Sequence, residues 1–168
     1  KQAKAFRSDA SITSPTLKRQ IELIYLSYLE NQMEPKLMEQ MVTMASAIEG
    51  KFNTHRGEFE GKRVTDNVLL EVLKTEKDQV RRKAAWEAAK SVGESVAADL
   101  IKLVKIRNEG ARQLGFKNYY EMRMALNEQD PGEIARIFAD LAEVTEAPFA
   151  LIKGRVDSAI QKKFGITS

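Results

Sequence analysis

The sequence predicts an all-α protein of about seven helices with one small β-hairpin. Apolar residues recur at spacings of three and four through most of the 168 residues, which is the period of an amphipathic helix. Helix-start signals, such as Ser14-Pro15 and Asp130-Pro131, precede several of these stretches. Only residues 52–64, with two glycines among mixed apolar and polar residues, are typical of a short hairpin.

Composition bounds the class of protein. Apolar residues make up 43% and charged residues 30% of the chain, which is typical of a globular domain with a core. No apolar run approaches the roughly 20 residues of a membrane span, so we expect no membrane-spanning helix. The net charge is only +3, and the two basic clusters, at 81–83 and 162–163, are interspersed with acids. We therefore interpret them as solvated helix faces and expect no nucleic-acid partner.

The chain begins with a stretch that carries no periodic pattern. Residues 1–13 are therefore expected to be a disordered lead-in, and residues 14–168 a single helical domain. Apolar spacing from Leu17 predicts a helix to about Gln32, and Pro35 opens a second helix that Gly50 is expected to end. Because the connection between them is short, residues 14–50 should form an antiparallel helical hairpin.

Methionine is dense in the second helix and just before it. The four residues are Met33, Met38, Met41 and Met44. One interpretation is that they fill the core against the first helix. The other is an adaptable surface that moves over a groove or receives a partner, since methionine is unbranched and flexible.

The middle of the chain offers few groups for chemistry. His55 is the single histidine and lies in the predicted hairpin, so we expect a solvated surface side chain and no metal site. Thr65-Asp66 and Asp78 are expected to start two further helices. Trp86, the single tryptophan, is expected to pack in the core with its indole N–H bonded to one acceptor.

The stretch from Leu103 to Leu126 predicts a helix, a glycine corner and a second helix. Gly115 can adopt the left-handed conformation that closes a helix, and Phe116 can fold back onto the last turn. Asn118, with a glutamate three residues later, predicts a capping box at the start of the next helix. Tyr119 and Tyr120 stand at that start, where they could pack in the core or line a cleft.

The last helix is expected to open at Asp130-Pro131 and to end at Gly165. Pro148 lies inside its apolar pattern. Because proline lacks a backbone N–H and clashes with the preceding turn, we expect it to bend or break the helix there.

Four segments resemble one family in the order in which that family has them. They are FNTHRGEFEGKRVT, KAAWEAAKSVG, RNEGARQLGFKNYYEM and AIQKKFG. They resemble the N-terminal half of the M2 zinc metallopeptidases, the angiotensin-converting-enzyme-like dipeptidyl carboxypeptidases. The resemblance extends over roughly residues 15–165. It implies that the chain is the N-terminal helical fragment of a larger, mostly helical metallopeptidase fold, with residues 14–50 as a lid.

The resemblance also implies chemistry that these residues cannot perform. The family holds zinc with His-Glu-x-x-His and a later glutamate, whereas this chain has one histidine and no cysteine. We therefore expect no catalytic residue and no bound zinc here, and a zinc-bearing C-terminal catalytic half elsewhere. Tyr119, Tyr120 and Arg123 are the candidates for a substrate channel or an anion site, because relatives place a chloride-binding arginine in this tract.

Two functional interpretations remain open. The first is the lid and channel wall of a peptidase that removes dipeptides from peptide C-termini. The second is a free-standing helical interaction domain without activity. The expected partners are the peptide substrate and the catalytic half, and an exposed docking surface favours self-association. The compartment is not determined; export is expected only if a signal peptide precedes Lys1.

Overall fold

The computed structural model describes residues 2–165 and confirms an all-α fold with one hairpin. The described residues form eight α-helices, one 3₁₀ turn and two strands. The helices are α1 (Gln2–Arg7), α2 (Pro15–Leu29), α3 (Pro35–Thr54), α4 (Asp66–Thr75), α5 (Gln79–Lys90), α6 (Val92–Gln113), α7 (Tyr119–Leu126) and α8 (Pro131–Phe164). The strands are β1 (Gly57–Phe59) and β2 (Lys62–Val64), and the 3₁₀ turn is Glu30–Gln32. Within residues 2–165, no helix combines the length and apolar character needed to cross a membrane.

The described residues group into two compact units. The first unit comprises the chain up to Ala45 and Ile101–Glu133, and the second comprises Ser46–Leu100 and the chain from Ile134 onward. Each unit has its own buried residues, and we describe each by itself.

The first unit is built around methionine and leucine. Met33 and Met41 are buried, as are Leu103 and Met122, which supports the core interpretation of the methionine-rich segment. A Cβ placed on Gly110 of α6 would press on the sulfur of Met33. The absence of a side chain at Gly110 therefore allows α6 to approach the segment that precedes α3 closely.

Part of the expected disordered lead-in forms helix α1, which packs against α2. Arg7 makes two contacts to α2. Its Nε donates to a carboxylate oxygen of Glu22 at 2.6 Å, and its guanidinium lies 4.4 Å from the centre of the Tyr25 ring. Because these partners lie 15 or more residues away, no local periodicity at residues 1–13 could indicate the helix.

The second unit has a core in which the hairpin packs on two helices. Phe59 of β1, Leu69 of α4 and Ala85 and Ala88 of α5 are the buried members. The strands are antiparallel with Gly57 opposite Val64 and Phe59 opposite Lys62. Glu60 and Gly61 have φ values of 53° and 73°, which is the signature of a type I′ turn.

Trp86 does not pack in the core as the sequence led us to expect. Its side chain is 53% exposed, while its neighbour Ala85 is fully buried. The reason is the close approach of β1 to α5. A Cβ on Gly57 would lie 2.9 Å from the carbonyl carbon of Ala88, so this face of α5 has no room for an indole ring.

Two expected helix ends are absent. α3 continues through Gly50 to Thr54, so the expected end at Gly50 is wrong, and α8 continues through Pro148, so of the bend or break expected there the break does not occur. Pro148 lacks a backbone N–H and so removes one backbone hydrogen bond from the helix. In the turn before it, the Thr145 hydroxyl donates to the carbonyl oxygen of Leu141 at 2.6 Å. A single missing bond in a helix of 34 residues is tolerated.

The connection between α4 and α5 should make stability sensitive to acid. Glu76 accepts hydrogen bonds from the backbone N–H groups of Asp78 and Lys77 and from Arg81, and these lower its pKa from 4.5 to about 2. The ionised carboxylate therefore stabilises the folded state above pH 4.5, and this contribution is lost as the pH falls from 4.5 through 2. The Glu76→Gln variant should lose part of that dependence. We would measure urea midpoints between pH 6 and pH 2, with Glu71→Gln as the exposed control; identical pH profiles for the wild type and Glu76→Gln would contradict the assignment.

Candidate functional site

The candidate site is positioned by the glycine corner between α6 and α7. Gly115 has a φ of +90° and its N–H donates to the carbonyl oxygen of Arg112 at 3.0 Å. The N–H of Phe116 donates to the carbonyl oxygen of Ala111, also at 3.0 Å. These two bonds form a Schellman motif, which confirms the predicted helix end at Gly115.

The start of α7 is fixed by two asparagines. The side-chain oxygen of Asn118 accepts from the N–H of Glu121 at 2.8 Å, as the predicted cap requires. Asn108 of α6 accepts from the N–H of Tyr119 at 3.0 Å. A polar side chain from α6 therefore ties down the first residue of α7, and Tyr119 is held at the corner.

Tyr119 and Arg123 lie one turn apart on α7, and both contact the carboxylate of Glu30. Nη1 of Arg123 donates to Glu30 at 2.7 Å, and the Tyr119 hydroxyl lies 3.4 Å from the other carboxylate oxygen. The guanidinium of Arg107 lies 5.3 Å from the centre of the Tyr119 ring. We call Glu30, Arg107, Tyr119 and Arg123 the α7 cluster.

Sequence reasoning found half of this cluster. Tyr120 is 51% exposed, and the described hydrogen bonds to the Glu30 carboxylate come from Tyr119 and Arg123. Glu30 and Arg107 were missed. Glu30 is 93 residues from Arg123, so no local pattern connects them. Arg107 is the first residue of the segment RNEGARQLGFKNYYEM that resembles the family, and this position could have indicated it as a candidate site residue.

The α7 cluster offers hydrogen-bond donors that solvent can reach. Glu30 occupies one N–H group of Arg123, and a guanidinium has five, so donors remain for a carboxylate or another anion. The side chain of Arg123 is 46% exposed and that of Glu30 is 27% exposed, so solvent and small ligands reach the pair. The cluster contains no activated nucleophile and no poised general base.

A separate cavity of about 290 Å³ lies in the same unit, between α1, α2 and the end of α6. Its lining combines a lysine, two tyrosines and two glutamines with one alanine and two leucines. These residues are Ala3, Lys4, Tyr25, Tyr28, Leu29, Gln32, Gln113 and Leu114. The volume is at the lower limit for ligand pockets, and none of the three predicted site residues lines it.

His55 is not the solvated side chain that we expected. It is half-buried, and its Nε2 lies 2.8 Å from the hydroxyl oxygen of Ser91. That hydroxyl donates to the carbonyl oxygen of Ala88 at 2.7 Å. Because a hydroxyl has one hydrogen, His55 must donate through Nε2, which fixes this nitrogen as the protonated one. The side chain joins the end of α3 to the end of α5.

Metal-ligand groups are not assembled in the described part of the chain. Among residues 2–165, no three or more His, Cys, Asp or Glu side chains are grouped so that they could hold a metal ion. The single histidine is engaged with Ser91, and the chain has no cysteine. This donor set does not fit a catalytic zinc site, which needs three protein ligands.

Comparison with known proteins identifies the family. The family model Peptidase M2, described as angiotensin-converting enzyme, matches residues 1–159. No curated protein and no solved structure matches the chain significantly. The family match covers the first three of the four segments that resemble M2 peptidases, and it reaches only the first residue, Ala159, of the fourth. The chain therefore belongs to the M2 peptidase family.

Proposed function

We propose that this chain forms the lid and one wall of the substrate channel in a zinc-dependent peptidase that releases dipeptides from peptide C-termini. The observation that carries the proposal is the family match over residues 1–159 in a chain whose donor set does not fit zinc. Zinc, when bound by the enzyme, polarises the scissile carbonyl and the attacking water. In this proposal, residues outside the 168 hold it, and the residues here bind and enclose the peptide.

The α7 cluster supports a role in binding. Peptide substrates of a carboxypeptidase carry a terminal carboxylate, and arginine and tyrosine are suited to bind one. Arg123 and Tyr119 are already held in place by Glu30, so little side-chain entropy is lost when a ligand binds. Glu30 also balances the charge of Arg123. The site therefore favours ligands that can replace the Glu30 carboxylate at Arg123 or bind Arg123 beside it.

Helix α2 has the properties of the moving part of the lid. None of its residues is buried, whereas α3 carries buried Leu37 and Met41. The far end of α2 is joined to α3 through the 3₁₀ turn, and Arg19 ties its first half to Glu128 through two hydrogen bonds. Elements held by exposed polar contacts open at lower free energy than elements held by a core.

Hydrogen exchange should therefore distinguish the two helices of the lid. The amides of α2 should exchange faster than those of α3, and Arg19→Ala should accelerate exchange in α2 by about two- to fivefold, the size typical of losing an exposed ion pair. Lys18→Ala is the matched control, because Lys18 is exposed and adjacent. Equal protection of α2 and α3 in the wild type would contradict a mobile α2.

The proposed function is tested by one measurement on the purified 168-residue chain and one on the coding DNA beyond Ser168. The purified 168-residue chain should hold no stoichiometric zinc and release no dipeptide from a test peptide. The coding DNA beyond the codon for Ser168 should encode a His-Glu-x-x-His helix and a later glutamate. Zinc bound at one equivalent, or a stop codon at that point, would overturn the proposal.

A free-standing interaction domain is the second candidate function. The observation that favours it is the exposed apolar surface of α8, in which no residue is buried. It predicts a stop codon near Ser168 and a protein partner that binds the isolated chain. The coding sequence therefore decides between the two candidates.

A further inference from the structure

Glu30 belongs both to the end of α2 and to the α7 cluster. It caps the C-terminal end of α2 with helical backbone angles and begins the 3₁₀ turn Glu30–Gln32. Its carboxylate accepts a hydrogen bond from Nη1 of Arg123 at 2.7 Å and lies 3.4 Å from the Tyr119 hydroxyl. The residue that must move with α2 is therefore the same residue that occupies Arg123.

The chain is fixed immediately after this turn. Met33 is buried, and its sulfur lies where a Cβ on Gly110 of α6 would be. The N–H of Glu34 donates to the side-chain oxygen of Gln113 at 3.3 Å. No residue of the fully described helix α2 is buried. Because buried contacts open at a higher free energy than exposed ones, a movement of α2 would turn about Glu30–Gln32 while Met33 stays in place.

Two ion pairs connect α2 to α7 and to the residues just after α7. Near the start of α2, Arg19 donates two hydrogen bonds to the carboxylate of Glu128, one of them at 2.8 Å. After its last residue, Glu30 accepts from Arg123. Arg19 and Glu30 are eleven positions apart, which is about 16 Å along a helix. Because both pairs hold one continuous helix, breaking either pair makes the other easier to break.

We propose that Glu30 is a latch residue, which couples the binding of a ligand carboxylate at Arg123 to the movement of α2. Arg123 and Tyr119 converge on one carboxylate, so a ligand that uses both donors must take the position that Glu30 occupies. Replacing Glu30 there releases the end of α2 from α7. By linkage, a change that loosens α2 must strengthen binding of the ligand. This inference rests on the proposed binding role of the α7 cluster.

Titration of the 168-residue chain with N-acetyl-dialanine, which carries a terminal carboxylate, tests the coupling. Nuclear magnetic resonance measures the affinity, and hydrogen exchange of the α2 amides is measured with and without the peptide. In the wild type, saturating peptide should accelerate exchange in α2 by about two- to fivefold, the size typical of losing an exposed ion pair. The C-terminal amide of the same peptide, with sodium chloride added to equal ionic strength, should leave the exchange unchanged.

Two variants should bind the peptide about two- to fivefold more tightly, because each removes one exposed ion pair that holds α2. Glu30→Gln removes the competing carboxylate, and exchange in α2 should then no longer respond to the peptide. Arg19→Gln breaks the other pair without altering Arg123. Its tighter binding is diagnostic, because the loss of a positive charge would by itself weaken the binding of an anion. Glu34→Gln is the matched control, since it makes the same change at an exposed side chain four residues beyond Glu30, and it should behave as the wild type.

Three results would overturn the inference. They are peptide binding that leaves exchange in α2 unchanged or slower, an affinity of Arg19→Gln equal to or below that of the wild type, and no binding of the peptide to the wild type. The first two results would leave the α7 cluster as a binding site without a latch. The third would also remove its proposed binding role, whereas the peptidase assignment is tested separately by the coding DNA.

Discussion

Gly57→Ala is expected to destabilise the folded chain by about 3 kcal/mol, as overpacking of a closed contact does. A Cβ at this position would lie 2.9 Å from the carbonyl carbon of Ala88, closer still to its oxygen, and 3.2 Å from a methyl carbon of Leu69. The carbonyl belongs to the backbone of α5 and cannot rotate away as a flexible side chain could. Strand β1 must therefore separate from α5 and open the core of the second unit. Urea denaturation followed by circular dichroism measures the change in the free energy of unfolding.

Gly93→Ala is the control for this prediction. Gly93 lies in the first turn of α6, and nothing would lie within 4 Å of an added Cβ. Alanine should be neutral there or more stable by up to about 1 kcal/mol, because it favours helix more than glycine does. If Gly57→Ala were as stable as Gly93→Ala, the close packing of β1 on α5 would be contradicted.

Leu69→Ala is expected to lower the free energy of unfolding by about 2–5 kcal/mol, the range for leucine in a closed core. The side chain is fully buried among Phe59, Ala85 and Ala88. Two of these neighbours are alanines with no rotatable side chain, so they cannot fill the cavity that the substitution leaves. The loss should therefore lie in the upper part of that range, and the same urea titration measures it.

Leu70→Ala provides the comparison on the same helix. Leu70 is 59% exposed, so its truncation removes little buried apolar surface and should change stability by less than about 1 kcal/mol. Equal effects of the two substitutions would place the core of the second unit on a different face of α4. Because neighbouring residues of one helix point in different directions, the pair tests the orientation of α4 directly.

For the proposed peptidase, the substitutions at Gly57 and Leu69 test residues that stabilise the fold, whereas a substitution in the α7 cluster tests the proposed binding surface. Both destabilising substitutions lie in the second unit, whereas the α7 cluster lies in the first. Arg123→Ala removes an exposed side chain that contacts Glu30, so we expect it to alter ligand binding with a small effect on stability. The same substitution in the complete enzyme would show whether the cluster contributes to substrate affinity.

Features whose hydrogen-bonding or packing partners lie within a few residues could be predicted from the sequence. The Gly115 corner, the Asn118 cap and the turn of the hairpin that was expected within 52–64 all depend on hydrogen bonds or turns that close over three to five positions. Helix positions followed from apolar spacing for the same reason, since side chains three and four residues apart share a face. The motifs that indicated the M2 family are also local.

Which helix faces are buried could not be predicted from local sequence and is seen only in the three-dimensional structure. Trp86 is a residue type that usually packs in a core. Here Gly57 approaches α5 so closely that the buried face of the helix carries Ala85 and Ala88 instead. The contact between Glu30 and Arg123 joins residues 93 positions apart, and that between His55 and Ser91 joins residues 36 apart. Periodicity shows that a helix has an apolar side. Whether that apolar side packs against another segment depends on the position of backbone that is far away in the sequence. A single stretch of sequence does not contain that information.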